Sequence, residues 1–236
     1  IILDEKKFSN FFLKSVWHHD EPLNFPNSVG LFLLNDVASK SIKVLLGGEG
    51  ADELFAGYLD YQNKLDLFTT RSYGSISIIN QVIINKKLNL NYKKKLLNKK
   101  SLSDLDNKIN YFFYTQLQTI QTRLDKMSMA FGVEARVPYL DNNLIKAIKT
   151  LPDNMRIKGN IAKYILRKIS EKYLPAEIIN REKIGFSVPI NKWMKNKNFF
   201  GKYVSILEEE RTLKRSIYNQ VGLKKILFEF RNKNDK

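Results

Sequence analysis

The chain has 236 residues with a hydrophobic fraction of 43%, enough for a proper core in one large domain or two small ones. It contains no cysteine, which excludes disulfides, thiolate zinc sites and a cysteine nucleophile within these residues and fits a reducing compartment. A net charge of +16 raises nucleic acid as a partner, but the basic residues are mostly Lys spread among many Asn and Ile, a mix that codon bias also produces.

No apolar run reaches the ~18 residues needed to cross a membrane, and no signal peptide is visible. The chain opens Ile1-Ile2-Leu3-Asp4 without an initiator Met, so it reads as a fragment or a processed piece. Residues 5–19 read as an amphipathic helix with Phe8, Phe11, Phe12, Val16 and Trp17 on its apolar stripe, stopped by Pro22. His18 and His19 beside Asp20 and Glu21 suggest a metal, but adjacent helical residues point apart, and a structured loop is the preferred reading. Asn27 or Ser28 caps a second helix through Leu31, Leu34, Val37 and Ala38, and Ile42 to Leu46 follows as a strand. A helix feeding a buried strand is half of a βαβ unit and predicts a parallel sheet. Only this one strand is evident, so most of the sheet is expected upstream of Ile1, unless the domain is nearly all helix.

The strand breaks at Gly47, Gly48 and Gly50 and gives way to a helical pattern with Glu49, Asp52 and Glu53. That layout suits a ligand site at the carboxyl end of a parallel strand. Glycines let a backbone approach a bulky ligand, and carboxylates suit a hard cation or a proton transfer. On this stretch alone, a plain strand-to-helix connection is the equal alternative. The pattern stays helical to about Phe68, breaks over Thr69 to Ser75, and is apolar-then-basic and partly helical from Ile76 to Lys100. The cluster from Tyr92 to Lys100 has no Arg for planar phosphate recognition and reads as a solvated face rather than a polyanion footprint.

Past a linker at Ser101 to Asp106, Lys108 to Leu117 reads as an aromatic helix and Thr119 to Val133 as another, with Leu124, Met127, Met129 and Phe131 largely apolar. Glu134 and Arg136 sit in an otherwise apolar loop and are expected to be partnered. Asp141 caps a helix through Ile148 that Leu151-Pro152 ends. Asn160 to Tyr173 reads as a basic amphipathic helix with Ile161, Tyr164, Ile165, Leu166 and Ile169 inside and Lys163, Arg167 and Lys168 on other faces. A short helix at Pro175 to Ile179, a Gly-containing segment at 180–189, a helix from Ile190 to Met194 and two helices around 199–210 and 215–232 complete the chain, with no internal repeat.

Four segments, in order, resemble the synthetase domain of glutamine-dependent asparagine synthetases. They are LGGEGADELFAGY at 46–58, RLDKMSMA at 123–130 running into VEARVPYLD at 133–141, KYILR at 163–167 and REKIGFSVP at 181–189, joined by Trp17 through Pro22. The resemblance covers residues 17–194 and implies a C-terminal synthetase part at 1–196 with a helical tail at 197–236. The implied fold is a helix-rich α/β of the ATP pyrophosphatase type (adenine nucleotide alpha hydrolase-like), its parallel sheet only partly present, with a C-terminal helical lobe. The implied activity is that of a cytoplasmic ligase. ATP activates the side-chain carboxylate of aspartate as an acyl-adenylate, pyrophosphate leaves, and ammonia displaces AMP.

The resemblance also implies ATP and Mg²⁺ as cofactors, Glu49 and Lys163 as catalytic residues, Gly47 and Gly48 against the nucleotide, and Asp52 on the metal. The family more often has Ser at the Gly47 position. Asp125, Glu134, Arg136 and Lys183 also match motif positions, where tying the helical lobe to the sheet is at least as good a role. Ammonia would come from glutamine in an N-terminal glutaminase domain with a cysteine nucleophile, and the phosphates would rest on a Ser-Gly-Gly-x-Asp-Ser loop. This chain carries neither and reads as the inactive C-terminal part of a longer synthetase. Expected partners are aspartate, ATP, ammonia or glutamine, and the glutaminase domain. A homodimer stays open, a membrane is not expected, and nucleic acid, with a basic scaffold role, is the less favoured reading. Surface-polysaccharide amidotransferases and β-lactam synthetases resemble the same motifs, so the acceptor carboxylate stays open.

Overall fold

The computed structural model describes residues 1–23, 25–58, 61 and 99–232. The helical readings past Tyr58 and over 76–100, with most of the basic cluster at 92–100, lie outside the described residues.

The Asp4 carboxylate accepts from the Lys7 N–H and caps α1 (Glu5–His19), which ends at a left-handed Asp20. Next come α2 (Ser28–Ala38), β1 (Val44–Leu46) and the short α3 (Ala51–Leu54). The two helices expected at 108–117 and 119–133 are one, α4 (Asp104–Met129), because nothing between them breaks a helix: the span holds no Gly or Pro. Ser103 caps it by accepting from the Asp106 N–H.

The segment read as a loop with a charged pair contains β2 (Glu134–Arg136), which pairs in parallel with β1, Val44 opposite Glu134 and Leu46 opposite Arg136. Three residues are too few for a period-2 pattern to register. Asp141 accepts from the Asn143 and Leu144 N–H groups and caps α5 (Asn142–Lys149), as its sequence predicts. Then α6 (Asp153–Arg156) leads into a hairpin of β3 (Ile157–Lys158) and β4 (Ile161–Ala162), turned at a left-handed Gly159. The helix expected from Asn160 therefore starts late, as α7 (Tyr164–Ser170), and leaves Ile161 and Ile169 half exposed instead of inside. Short helices α8 (Ala176–Ile179), α9 (Ile190–Lys195), α10 (Gly201–Val204) and α11 (Glu210–Leu213) precede α12 (Gln220–Asn232).

These elements form two compact units, residues 1–36 with 186–232 and residues 37–58, 61 and 99–185. The first is built on Phe8, Val29, Trp193 and Phe200, with Phe8 and Phe200 edge-to-face at 4.9 Å. A smaller cluster joins Val204, Leu223 and Leu227. Buried Phe8, Ser15 and His19 mark the inward face of α1. Trp17, expected on that face, is 81% exposed, because nine residues from Phe8 is about two and a half turns and lands on the opposite side. The His19 Nδ1 lies 3.1 Å from the Glu21 carbonyl, while His18 packs against Phe32, so the two histidines do not share a site.

The second unit packs Leu54, Phe55 and Ile148 with Phe113, Leu144, Ile165 and Leu166. Beneath it Arg156 is 2% exposed and bridges Asp106 and Asp153, each at 2.6 Å. The whole is a helix-rich α/β arrangement with a small parallel sheet, and no described helix is long and apolar enough to cross a membrane.

Candidate functional site

The site grows from the turn that follows β1. The Gly47 N–H donates to the Arg136 carbonyl at 2.7 Å, carrying the β1–β2 ladder one step past the strand. The chain then swings through Gly50 at φ +90, where a Cβ would strike Leu140, so the turn into α3 depends on glycine there. In the first turn of α3, Asp52 is partly buried and Glu53 is fully buried. A left-handed Ala56 folds the backbone back so that the Gly57 N–H donates to the Asp52 carbonyl at 2.9 Å.

Two cations meet on Asp52. The Oδ1 atom accepts from Lys183 Nζ at 2.8 Å and lies 3.0 Å from Lys163 Nζ. Lys163 is itself left-handed, at φ +54, which is why the expected continuous helix fails at this residue. Its N–H donates to the Phe55 carbonyl at 3.1 Å, tying α7 to the end of α3. Lys183 lies over the Tyr58 ring at 4.9 Å, and the Tyr58 hydroxyl donates to Glu53 Oε1 at 2.5 Å. A Cβ on Gly57 would overlap both Asp52 Oδ1 and the Lys163 Cε, so the lysine can reach the carboxylate only past a glycine.

Charge follows this geometry. Burial pushes the Asp52 carboxyl up, but Lys163 and Lys183 outweigh it and hold the group below its ordinary value. Burial raises Glu53, and the hydrogen bond from Tyr58 offsets only part of that. Tyr58 is pushed far up by its own burial and then by the Glu53 charge. A cavity of about 230 Å³ opens beside these groups, lined by Gly48, Glu49, Asp52, Glu53, Tyr58 and Arg123 among others. Arg123 is buried on α4; burial lowers its proton affinity and the Glu49 charge partly restores it.

Of the residues expected at a site, Gly48, Glu49 and Asp52 share this cavity wall, while Lys163 joins through Asp52 and Gly47 lies behind the wall in the β ladder. Asp125 is exposed on α4. Glu134 and Arg136 pair with each other at 2.9 Å on the exposed surface of β2, two positions apart and therefore on one side of the strand. Lys183 is the residue that sequence reasoning undervalued. It stands in a segment singled out for its resemblance, but no local pattern tells that its ammonium reaches a carboxylate 131 positions earlier. Among the described residues no three His, Asp or Glu side chains close into a metal cage.

Comparison with known proteins places the chain. The family model described as asparagine synthase matches residues 1–234. Asparagine synthetase [glutamine-hydrolyzing] 1 of Bacillus subtilis is 29% identical over 259 residues, covering 89% of this chain and 41% of the relative. A putative asparagine synthetase [glutamine-hydrolyzing] of Mycobacterium bovis is 30% identical over 227 residues, covering 76% of this chain and 35% of its own length. Asparagine synthetase B [glutamine-hydrolyzing] of Escherichia coli is 31% identical over 163 residues, covering 68% and 23%. The chain thus spans less than half the length of these relatives. Matched along nearly its whole length by that family model, the chain belongs to the asparagine synthase family.

Proposed function

We propose that this chain is the adenylating portion of a cytoplasmic, ATP-dependent ligase that amidates aspartate to asparagine through an acyl-adenylate, releasing AMP and pyrophosphate. The convergence of Lys163 and Lys183 on Asp52 carries this reading. Adenylation sheds a highly charged leaving group, and fixed cations near the departing phosphates lower the barrier by meeting that charge as it develops. Two ammonium groups on one ionised carboxylate, beside a glycine-walled cavity, supply that set of charges.

Asp52 also fits magnesium. It stays ionised, it faces the cavity, and one or two carboxylates with substrate phosphate oxygens are the usual ligand set for that ion. When bound, the cation would neutralise phosphate charge. Gly48, where a Cβ would meet nothing within 4 Å, leaves room for the nucleotide along the backbone. In the amination step the ammonia nitrogen bonds to the acyl carbon, the bond from that carbon to the AMP oxygen breaks, and the Glu49 carboxylate takes a proton from the new ammonium.

Relatives named as glutamine-hydrolyzing support ammonia from a glutaminase domain elsewhere in the native protein. An ATP pyrophosphatase-type sheet is supported by the parallel β1–β2 pair with its glycine turn. Leu46 is 72% exposed there and Val44 39%, whereas parallel sheets are normally covered on both faces by further strands and helices.

The test is pyrophosphate release by the native-length protein with ATP, magnesium and a panel of carboxylates. Aspartate is expected to turn over, and no release with aspartate would overturn the substrate. Lys163→Ala is expected to cut the rate about a hundredfold or more; an undiminished rate would remove Lys163 from the mechanism.

A further inference from the structure

Tyr58 is used by nothing in the chemistry above, yet it is tightly held beside it. Its hydroxyl donates to Glu53 Oε1 at 2.5 Å, and Glu53 is 2% exposed, so the acceptor is enclosed by its packing. Its ring packs on Tyr61 at 5.8 Å and on Phe112 at 5.3 Å, which fixes the plane. The Lys183 ammonium sits 4.9 Å from that ring, donates to Asp52 Oδ1 and reaches the Gly57 carbonyl at 3.4 Å.

Lys183 has little else to hold it. Its side chain is 53% exposed, it lies on a segment without helix or strand, and its neighbours Glu182 and Ile184 face solvent. A lysine stem carries about 2 kcal/mol of rotamer freedom, so a lysine on such a segment does not reach one atom reproducibly without a guide. The aromatic face supplies a direction of approach, and Asp52 the end point.

We propose that Tyr58 is the positioning residue for Lys183, a rigid aromatic platform that Glu53 locks by hydrogen bond and that directs the ammonium to the Oδ1 atom of Asp52. The inference rests on the adenylation reading for its catalytic consequence, but not for the placement of the lysine. Asp52 holds the ammonium, the ring limits the direction from which the stem approaches, and the hydroxyl fixes the ring. Loss of the ring therefore frees Lys183, and loss of the hydroxyl loosens it partly.

Amine acylation followed by mass spectrometry reads the placement directly in the native-length protein. Tyr58→Leu is expected to raise the labelling rate at Lys183 about two- to fivefold, the range of an exposed cation–π contact, and Tyr58→Phe less. The rate at Lys225, an exposed lysine on α12 in the other unit, is expected to stay constant and calibrates the reagent, while a cooperative melting transition followed by circular dichroism shows that the fold survives. Should Tyr58→Leu not hold its fold, Tyr58→Phe alone decides.

A double-mutant cycle on pyrophosphate release then tests the route. Tyr58→Leu is expected to lower kcat in the unaltered background and to have almost no further effect once Lys183→Met is present. A merely structural tyrosine gives additive losses. Unchanged labelling at Lys183, or additive losses, overturns the proposal. If the unaltered protein releases no pyrophosphate with any carboxylate, the adenylation reading fails instead, and the labelling result still decides the role of Tyr58.

Discussion

At the scale of single residues, two carboxyls one position apart have opposite protonation behaviour, and stability against pH separates them. Asp52 is held below its ordinary value of 3.8, so the stability it contributes is fully present above that value and is lost as pH falls below it. Glu53 is raised above its ordinary 4.5, so folding binds its proton more tightly and stability falls as pH rises above 4.5 towards the raised value. Denaturant titrations across pH 2 to 8 are therefore expected to show Asp52→Asn flattening the acid limb and, because its charge helps raise Glu53, slightly easing the fall above 4.5, while Glu53→Gln flattens chiefly that fall. Gly57→Ala is expected to abolish the Lys163–Asp52 contact and cost about 1–3 kcal/mol, because the new methyl displaces the Asp52 carboxylate as well as the lysine stem. Loss of aspartate-dependent pyrophosphate release with a cooperative but lowered melting transition would match that expectation.

At the scale of elements, the chain shows what a single sequence reveals. Caps were legible because their physics is local: Asp141 was identified with its helix, and the glycine turn at 47–50 was placed at the end of its strand. Helix α1 was legible in extent, but its buried face was misassigned at Trp17, since large aromatic side chains mark a stripe only when the rotation is tracked residue by residue. What stayed hidden depends on distance. The β2 strand exists because β1 lies beside it, and the left-handed Lys163 exists because the Phe55 carbonyl accepts its N–H. Propensity sees neither.

The same scale carries a stability prediction. Arg156 is fully buried, while Asp106 and Asp153 are 27% and 47% exposed. Removing Asp106 strips the better-buried partner from a guanidinium that cannot regain water. Asp106→Ala is expected to cost about 2–4 kcal/mol in denaturant unfolding, clearly more than Asp153→Ala. Phe8→Ala empties the centre of the other unit and is expected to cost about 3–5 kcal/mol, measured the same way.

At the scale of the whole molecule, a net charge of +16 draws small polyanions from every side, and steering of this kind reads only their charge. Inorganic phosphate is drawn in along with nucleotide. Here the pairing of Lys163 and Lys183 with Asp52 acquires a second meaning. The carboxylate is an internal stand-in for the phosphate, and any visitor must outcompete it before both lysines let go. Inorganic phosphate carries about one to two negative charges near neutral pH and gains little over a partner already in place, whereas a triphosphate brings several charges at once. The ion pair thus sets an admission threshold that favours the more highly charged anion.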